Sequence, residues 1–235
     1  MGVTYNSTLD YYSSRVITSG LIMHLDAANP RSYPGTGNVW YDLTGNNRNA
    51  VKGGTSATTY PCFSSRGYFN FIGGVIGSTG NYSRFNVSSI PAMTEMTAMV
   101  WFRSRVFGTA FRMQNSDFDI TVGTPTRFAA GSNWNDIQTT YNVPSALNGN
   151  WHHAALTYNG YSISGYIDGI YGTSAARAGN AVSSTASGIL NIGTRDDSFA
   201  DHFFGDIAQI LIYNRCLTAT EIKYMYDLYY RRFLY

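Results

Sequence analysis

Five acidic or imidazole side chains crowd the stretch GTRDDSFADHFFGD (193–206): Asp196, Asp197, Asp201, His202 and Asp206. Grouped carboxylates can do two kinds of chemistry. A pair held about 5–5.5 Å or about 6.5–9.5 Å apart can cleave a glycosidic bond, one as acid and the other as nucleophile or base. A larger set, with backbone carbonyls, can supply the roughly six to eight oxygens that calcium takes. Asp196, Asp197 and Asp201 lie between two β-type segments, so a solvated loop is the first reading and a calcium site the second. Asp206 opens a strand, His202 is a poor calcium ligand, and no EF-hand pattern is present.

Hydrolysis is poorly served elsewhere. The chain has two glutamates, Glu95 and Glu221, 126 positions apart. Glu221 fits a helix cap and Glu95 precedes a strand. Asp117 and Asp119 in SDFDI share one strand face at period two, and read as exposed acids beside a turn. His152 and His153 are adjacent on a strand and must point to opposite faces, so they cannot share a ligand. One is expected in the core and the other at the surface. His24 reads as a hydrogen-bonded core histidine. No Gly-x-Ser-x-Gly elbow and no phosphate-binding glycine loop is present. No catalytic residue is assigned, and no cofactor is expected unless calcium binds.

Sugar recognition needs aromatic platforms and hydrogen-bonding amides or carboxylates. GSNWNDIQTTYN (131–142) reads as a loop offering Trp134, Asn135, Asp136 and Tyr141, the best glycan candidates in the chain. Charge argues against nucleic acid. The formal net charge is only +2 and the arginines are scattered, with Arg231 and Arg232 alone adjacent; nucleic-acid binders concentrate their basic residues. That pair suits the negative end of a helix dipole.

These groups are carried by a β-rich chain. Charged residues make up 13% of 235, against about a quarter in ordinary soluble proteins, while tyrosines number 19. Ser, Thr, Asn, Gly and Tyr are strand and turn residues. No apolar run reaches the roughly 20 residues of a membrane span, and no signal peptide is visible at the start. Cys62 and Cys216 are expected as unpaired, buried thiols.

WHHAALTYNGYSISGYIDGIYGTSA (from 151) predicts a three-stranded meander turning at Asn159-Gly160 and Asp168-Gly169, both two-residue hairpin turns. TAMVWF (97–102) is apolar on both of its alternating faces, as a central strand buried on both sides would be. GILNIG (188–193) and DIAQILIYN (206–214) predict two more strands. The Gly- and Ser-rich stretches 73–80 and 179–188 read as loops. Thr218 and Glu221 form a capping box, with Leu217 and Ile222 as a hydrophobic staple. The aromatic end that follows packs on its own sandwich up to its last residues. There Tyr229, Tyr230, Phe233 and Tyr235 are docking candidates for a partner. The organisation expected is an arm at 1–19, a sandwich at 20–222, and a helix with aromatic tail at 223–235.

Four stretches, in this order, resemble the laminin-G-like branch of the concanavalin A-like lectin/glucanase superfamily. They are GLIMHLDAANPRSYPGTGNVWYDLTGNNRNA (20–50), with its Trp40-to-Gly45 turn, and MTAMVWFRS (96–104). The others are NWHHAALTYNGYSISGYIDG (150–169) and FFGDIAQILIYNRCLTATEI (203–222). The resemblance implies an all-β, two-sheet antiparallel jelly roll with one short C-terminal helix. It departs at 69–85, which carries no acid where the family has a Phe-Asp-Gly-x-Asp-Asp-Tyr turn. The glucanase Glu-x-Asp-x-x-Glu strand is absent too.

The opening segment also resembles versions found in virion proteins of tailed bacteriophages, cyanobacterial ones among them. That resemblance implies a non-enzymatic virion structural protein, a capsid decoration or tail-associated subunit made in the host cytoplasm. Its partners would be other virion proteins, in many copies or as a homo-oligomer, and cell-surface glycans, with no nucleic acid and no membrane. A free-standing lectin, with or without calcium, is the alternative; a glycoside hydrolase tested at Asp117 is the remote one.

Overall fold

The computed structural model describes residues 16–53, 60–71, 83–113, 118–130, 137–141, 147–176, 187–195 and 202–234. The first strands are β1 (Leu21–Asp26), β2 (Val39–Trp40), β3 (Ala50–Gly53), β4 (Cys62–Ser64), β5 (Tyr68–Phe71) and β6 (Arg84–Ile90). Then come β7 (Met96–Ser104), β8 (Gly108–Met113), β9 (Phe118–Val122), β10 (Thr126–Ala130) and β11 (Ile137–Tyr141). The rest are β12 (Trp151–Tyr158), β13 (Ser162–Ile167), β14 (Ile170–Ala176), β15 (Gly188–Ile192) and β16 (Gly205–Tyr213). Helix α1 (Ala219–Tyr230) and a 3₁₀ turn (Arg231–Phe233) close the chain.

The strands form two antiparallel sheets. The first runs β14-β13-β12-β7-β16-β5-β4, with β1 beside β16; the second runs β11-β10-β9-β8-β15-β6-β3-β2. The order is a jelly-roll sandwich, as the sequence predicts. Between the sheets lies an aromatic core that includes Trp40, Phe69, Phe71, Phe85, Phe102, Phe111, Phe118, Phe128 and Phe203, all fully buried. Phe69 sets the packing, with ring centroids 4.8 Å from both Trp40 and Phe85.

β7 accounts for its own unbroken apolarity. It sits between β12 and β16. Met96, Ala98, Val100 and Phe102 face the inner core, while Met99 and Trp101 join a second cluster on the outer face. That second cluster is closed by α1 through Ile222, Met225 and Tyr229. The helix begins where the capping box predicts: Thr218 Oγ1 accepts from Glu221 N, and Glu221 Oε2 accepts from Thr218 N. Leu217 and Ile222 are buried together beside it.

The meander is present, with one of its two turns as predicted. Asp168 and Gly169 have φ of 53° and 74°, a two-residue type I′ turn. Asn159 keeps a negative φ instead. Tyr158 pairs with Ile163, so the loop has four residues, and Asn159 Oδ1 accepts from Tyr161 N and Ser162 N. The asparagine acts here through its side chain rather than through left-handed backbone. Gly205 explains the Phe-x-Gly-x-Ile start of β16: its φ is +151°, and a Cβ would collide with the Arg103 carbonyl.

The Trp40-to-Gly45 turn is a knot around one carboxylate. Asp42 accepts from His24 N, Thr44 N, Thr44 Oγ1 and Arg48 N, at 2.9, 3.1, 2.7 and 3.2 Å. Cys62 and Cys216 are free thiols. Cys62 is exposed rather than buried, because β4 is an edge strand and the residue lies on its solvent side. Val16 and Ile17 pack against the outer cluster, so the described end of the arm is part of the sandwich; residues 1–15 lie outside the described residues. The Gly/Ser-rich stretches fall largely outside them as well.

Candidate functional site

The outer face of the second sheet carries a row of hydrogen-bonding side chains, assembled by strand register. Asn86 of β6 pairs with Asn191 of β15, Asn191 with Arg112 of β8, and Arg112 with Asp119 of β9. Directly opposed residues project to the same face. Their chain neighbours Phe85, Val87, Leu190, Ile192, Phe111, Phe118 and Ile120 point into the core, so the row points out. Its centre is nevertheless buried, and it reaches solvent through half-buried Asn86 and through Arg127 of β10, whose side chain is 25% exposed.

Asp119 is the hub. Arg127 Nη2 donates to its two oxygens at 3.2 and 3.1 Å and Thr121 Oγ1 donates at 3.3 Å, while Arg112 Nη1 lies 3.9 Å away. Thr109 and Thr121 hydroxyls meet at 3.1 Å behind it. Burial pushes the Asp119 carboxyl above its ordinary value, against the opposite pull of the two guanidiniums. Asn86 Oδ1, an acceptor, and Arg127 Nε, a donor, are buried on this face and have no partner among the described residues.

The sequence reading of Asp119 as an exposed acid is therefore corrected. β9 is an interior strand of its sheet, flanked by β8 and β10, and the carboxylate is held by arginines from both neighbours. Asp117 lies outside the described residues. Asn191, Arg112 and Arg127 were not singled out in the sequence. The signal available for three of the row's members was the alternation in GTAFRM, FDITV and TRFAA, where the charged residue falls on the face opposite the apolar ones.

On the outer face of the first sheet, Trp151, Arg103, Asp206 and Asn70 also form a cross-strand row. Here both charged groups are paired within the row. Asp206 Oδ2 accepts from Arg103 Nε at 2.8 Å, with Nη2 at 2.7 Å, and Oδ1 accepts from Asn70 Nδ2 at 2.9 Å. The guanidinium sits 5.1 Å from both the Tyr68 and Trp151 rings. This is a latch between strands, and Asp206 belongs to it.

The two histidines divide as strand geometry requires. His152 shares the inward positions of β12; its Nδ1 is 2.8 Å from Asp168 Oδ2 and its Nε2 3.2 Å from Asn148 Oδ1. His153 takes the outer face but is not at the surface, because α1 covers it: Tyr226 lies 6.0 Å and Trp101 5.3 Å from its ring. Burial lowers its pKa to about 4, opposed by Asp168. His24 is buried beside Gln209, whose amide nitrogen is 3.2 Å from its Nε2.

Of the glycan candidates, Trp134, Asn135 and Asp136 lie outside the described residues. Tyr141 is not in a loop: it ends strand β11, half-buried against Gly172 of β14. The calcium candidates Asp196, Asp197 and Asp201 also lie outside. Among the described residues no group of three His, Cys, Asp or Glu is placed to hold a metal.

The docking candidates divide as well. Tyr229 is 4% exposed on the sheet-facing side of α1, and Phe233 stacks on Trp101 at 4.3 Å and against Trp151 at 4.8 Å. Both serve their own sheet, because the helix ends close enough for the 3₁₀ turn to fold back onto it. Tyr230 is exposed, and Tyr235 lies outside the described residues. Arg232 does more than answer a dipole: its Nη1 is 2.7 Å from Asp26 Oδ1 and its Nη2 donates to the Gly67 carbonyl at 2.8 Å.

Comparison with known proteins agrees with this architecture. The chain is similar over 90% of its length to the botulinum neurotoxin serotype D binding domain, at 14% identity and a TM-score of 0.59. It resembles the binding domain of Paraclostridial Mosquitocidal Protein 1 over 90%, at 15% and 0.58. It spans about half, 52%, of each of these toxin domains. The heptameric SAP-like pentraxin from Limulus polyphemus matches over 66% of this chain and 78% of its own, at 15% identity and 0.53. No curated protein matches by sequence. The Laminin_G_3 family model covers residues 77–223, more than half of the chain, which therefore belongs to the concanavalin A-like lectin/glucanases superfamily.

Proposed function

We propose that this chain is a non-catalytic glycan-recognition module, carried on a virion as a capsid-decoration or tail-associated subunit. The observation that carries the recognition half is the row Asn86–Asn191–Arg112–Asp119. It sets amide and charged groups side by side on one sheet face, and leaves an acceptor and a donor there without partners among the described residues. Buried polar atoms are rarely left so, and sugar hydroxyls are both donors and acceptors. The lectin-type fold agrees with this reading.

The non-catalytic reading is supported, among the described residues, by carboxyls that are already occupied. Asp119 is shared by two arginines, Asp206 by Arg103 and Asn70, and Asp168 by His152 and the His153 amide. Glu221 is held by Arg215 and by the helix cap. Glycosidic cleavage needs two carboxyls free to act on one bond. The virion half is supported by the opening segment's resemblance to phage virion proteins, and by the sparsely charged surface.

The first test is a glycan array probed with the native chain and with Asn86→Ala. Native binding that falls at least about tenfold in the variant, roughly one lost hydrogen bond to a ligand, is the expected result. Binding unmoved by Asn86→Ala would take the site away from this face. Antibody labelling of source virions tests the display half: regular labelling of head or tail is expected, and unlabelled virions would overturn it.

A further inference from the structure

The chain end covers an unusual surface. Beneath α1 and the 3₁₀ turn, β1, β16, β7 and β12 present His24, Gln209, Trp101 and His153 on the outer face of the first sheet. All four are buried. Trp101 Nε1, His153 Nδ1 and Gln209 Oε1 have no hydrogen-bond partner among the described residues. A helix that buries a tryptophan, a glutamine and two histidines in this way closes on groups that do better in water. What holds it down is aromatic packing, with Phe233 and Tyr226 stacked on Trp101 at 4.3 and 5.5 Å. The Arg232–Asp26 pair adds to it.

We infer that residues 219–234 form an acid-sensitive clamp, closed on the first sheet at neutral pH and loosened when His153 and His24 take up protons. The charged and titratable groups around each histidine set the direction. His153 faces Asp168 from the β13–β14 turn, whose Oδ1 is committed to the His153 backbone amide, and Tyr226 from α1. The pull of Asp168 is outweighed by burial. His24 faces Asp26 on its own strand, Asp42 from the 42–48 turn and Arg232 from the chain end; Tyr229 of α1 lies close to Asp26 and Arg232. Burial again dominates, and the Arg232 guanidinium adds to it.

Both histidines therefore titrate below their ordinary 6.5 while covered, His153 at about 4. An uncovered histidine returns towards its ordinary value. The histidine contribution to closure is fully present above about 6.5 and is lost as pH falls towards about 4. By linkage, a shift of that size weakens closure about 50-fold at pH near 4.5 from His153 alone. The inference does not depend on the glycan reading.

The experiment is hydrogen exchange of the full chain followed by mass spectrometry at pH 7.5 and pH 4.5, normalised to the unfolded chain at each pH. Peptides from 219–234 should lose about 50-fold in protection relative to peptides from β7. In His153→Phe, whose ring keeps the contact with Trp101 and Tyr226, most of that loss should disappear. His153→Gln serves if the phenylalanine variant does not fold. Protection of 219–234 that stays flat in the native chain would overturn the clamp. So would an equal loss in the variants, or loss over β7 and the chain end together.

Discussion

The two outer faces of this sandwich are built by one rule and put to different uses. In both sheets alternate residues leave the core and point outward. On the first sheet those positions hold, beside the Arg103–Asp206 latch and the buried His24, Gln209 and His153, the largely apolar set Met99, Trp101, Ala155, Leu211 and Tyr213, and the chain's own helix closes over them. On the second they hold Asn86 and Asn191 beside Arg112, Asp119, Thr121 and Arg127, the last four joined by hydrogen bonds and ion pairs. An apolar outer face needs a cover in order to be stable in water. A polar one costs the fold more to build than apolar packing would, since charges are desolvated to make it. A fold with a sufficient aromatic core gains little from such a row, which is why the second face is the better place to look for recognition.

The largest effect that would test this contrast is at Trp101. The ring is 1% exposed and stacked under Phe233 and Tyr226. Trp101→Ala opens a cavity between sheet and helix and should destabilise the chain by about 3–5 kcal/mol, read as a shift in the denaturant midpoint. Asn86→Ala, the recognition variant, should stay close to the native midpoint. Similar midpoints for the two variants would erase the distinction between a structural face and a functional one.

A smaller effect is expected where the cover begins. Thr218→Ala removes the acceptor that holds Glu221 N and should cost about 1 kcal/mol in chemical denaturation at pH 7. The Glu221 carboxyl is held down to about 2, first by its hydrogen bonds to Arg215, with burial opposing. Its contribution is therefore full above the ordinary 4.5 and is lost only as pH falls through about 2. The cost of the threonine variant should be the same at pH 7 and pH 5, a range in which the histidine clamp already weakens. A cost that shrinks by pH 5 would show that the cap and the clamp are one titrating unit.

These residues also mark how far the sequence could be read. The capping box, the staple, the Asp168-Gly169 turn and the buried central strand are local: each depends on residues within one element, and each was legible. The polar row was not. Asn86 and Asn191 are 105 positions apart in the chain and meet only because β15 lies beside β6. That one of the two adjacent histidines points outward was legible, since strand alternation decides that, but not that it is His153. Its burial was not, because it depends on a helix that starts 66 residues later folding back over it. The same return path hides Tyr229 and Phe233, which composition alone made look available to a partner.

The smallest predicted effect separates the cover's two sides. Lys223 and Asp227 pair across one turn of α1, with side chains 50% and 53% exposed. An exposed pair at this spacing contributes about 0.3–0.5 kcal/mol, less in salt. Asp227→Asn should therefore lower the thermal midpoint by a degree or two at low ionic strength and by nothing measurable in 0.5 M salt, taken here as roughly the point where the Debye length falls well below 10 Å. It should also leave the exchange protection of 219–234 unchanged between pH 7.5 and 4.5 relative to the native chain. If instead this exposed pair altered the acid response, the clamp would be governed by the helix's surface charge, and the buried histidines would not be its trigger.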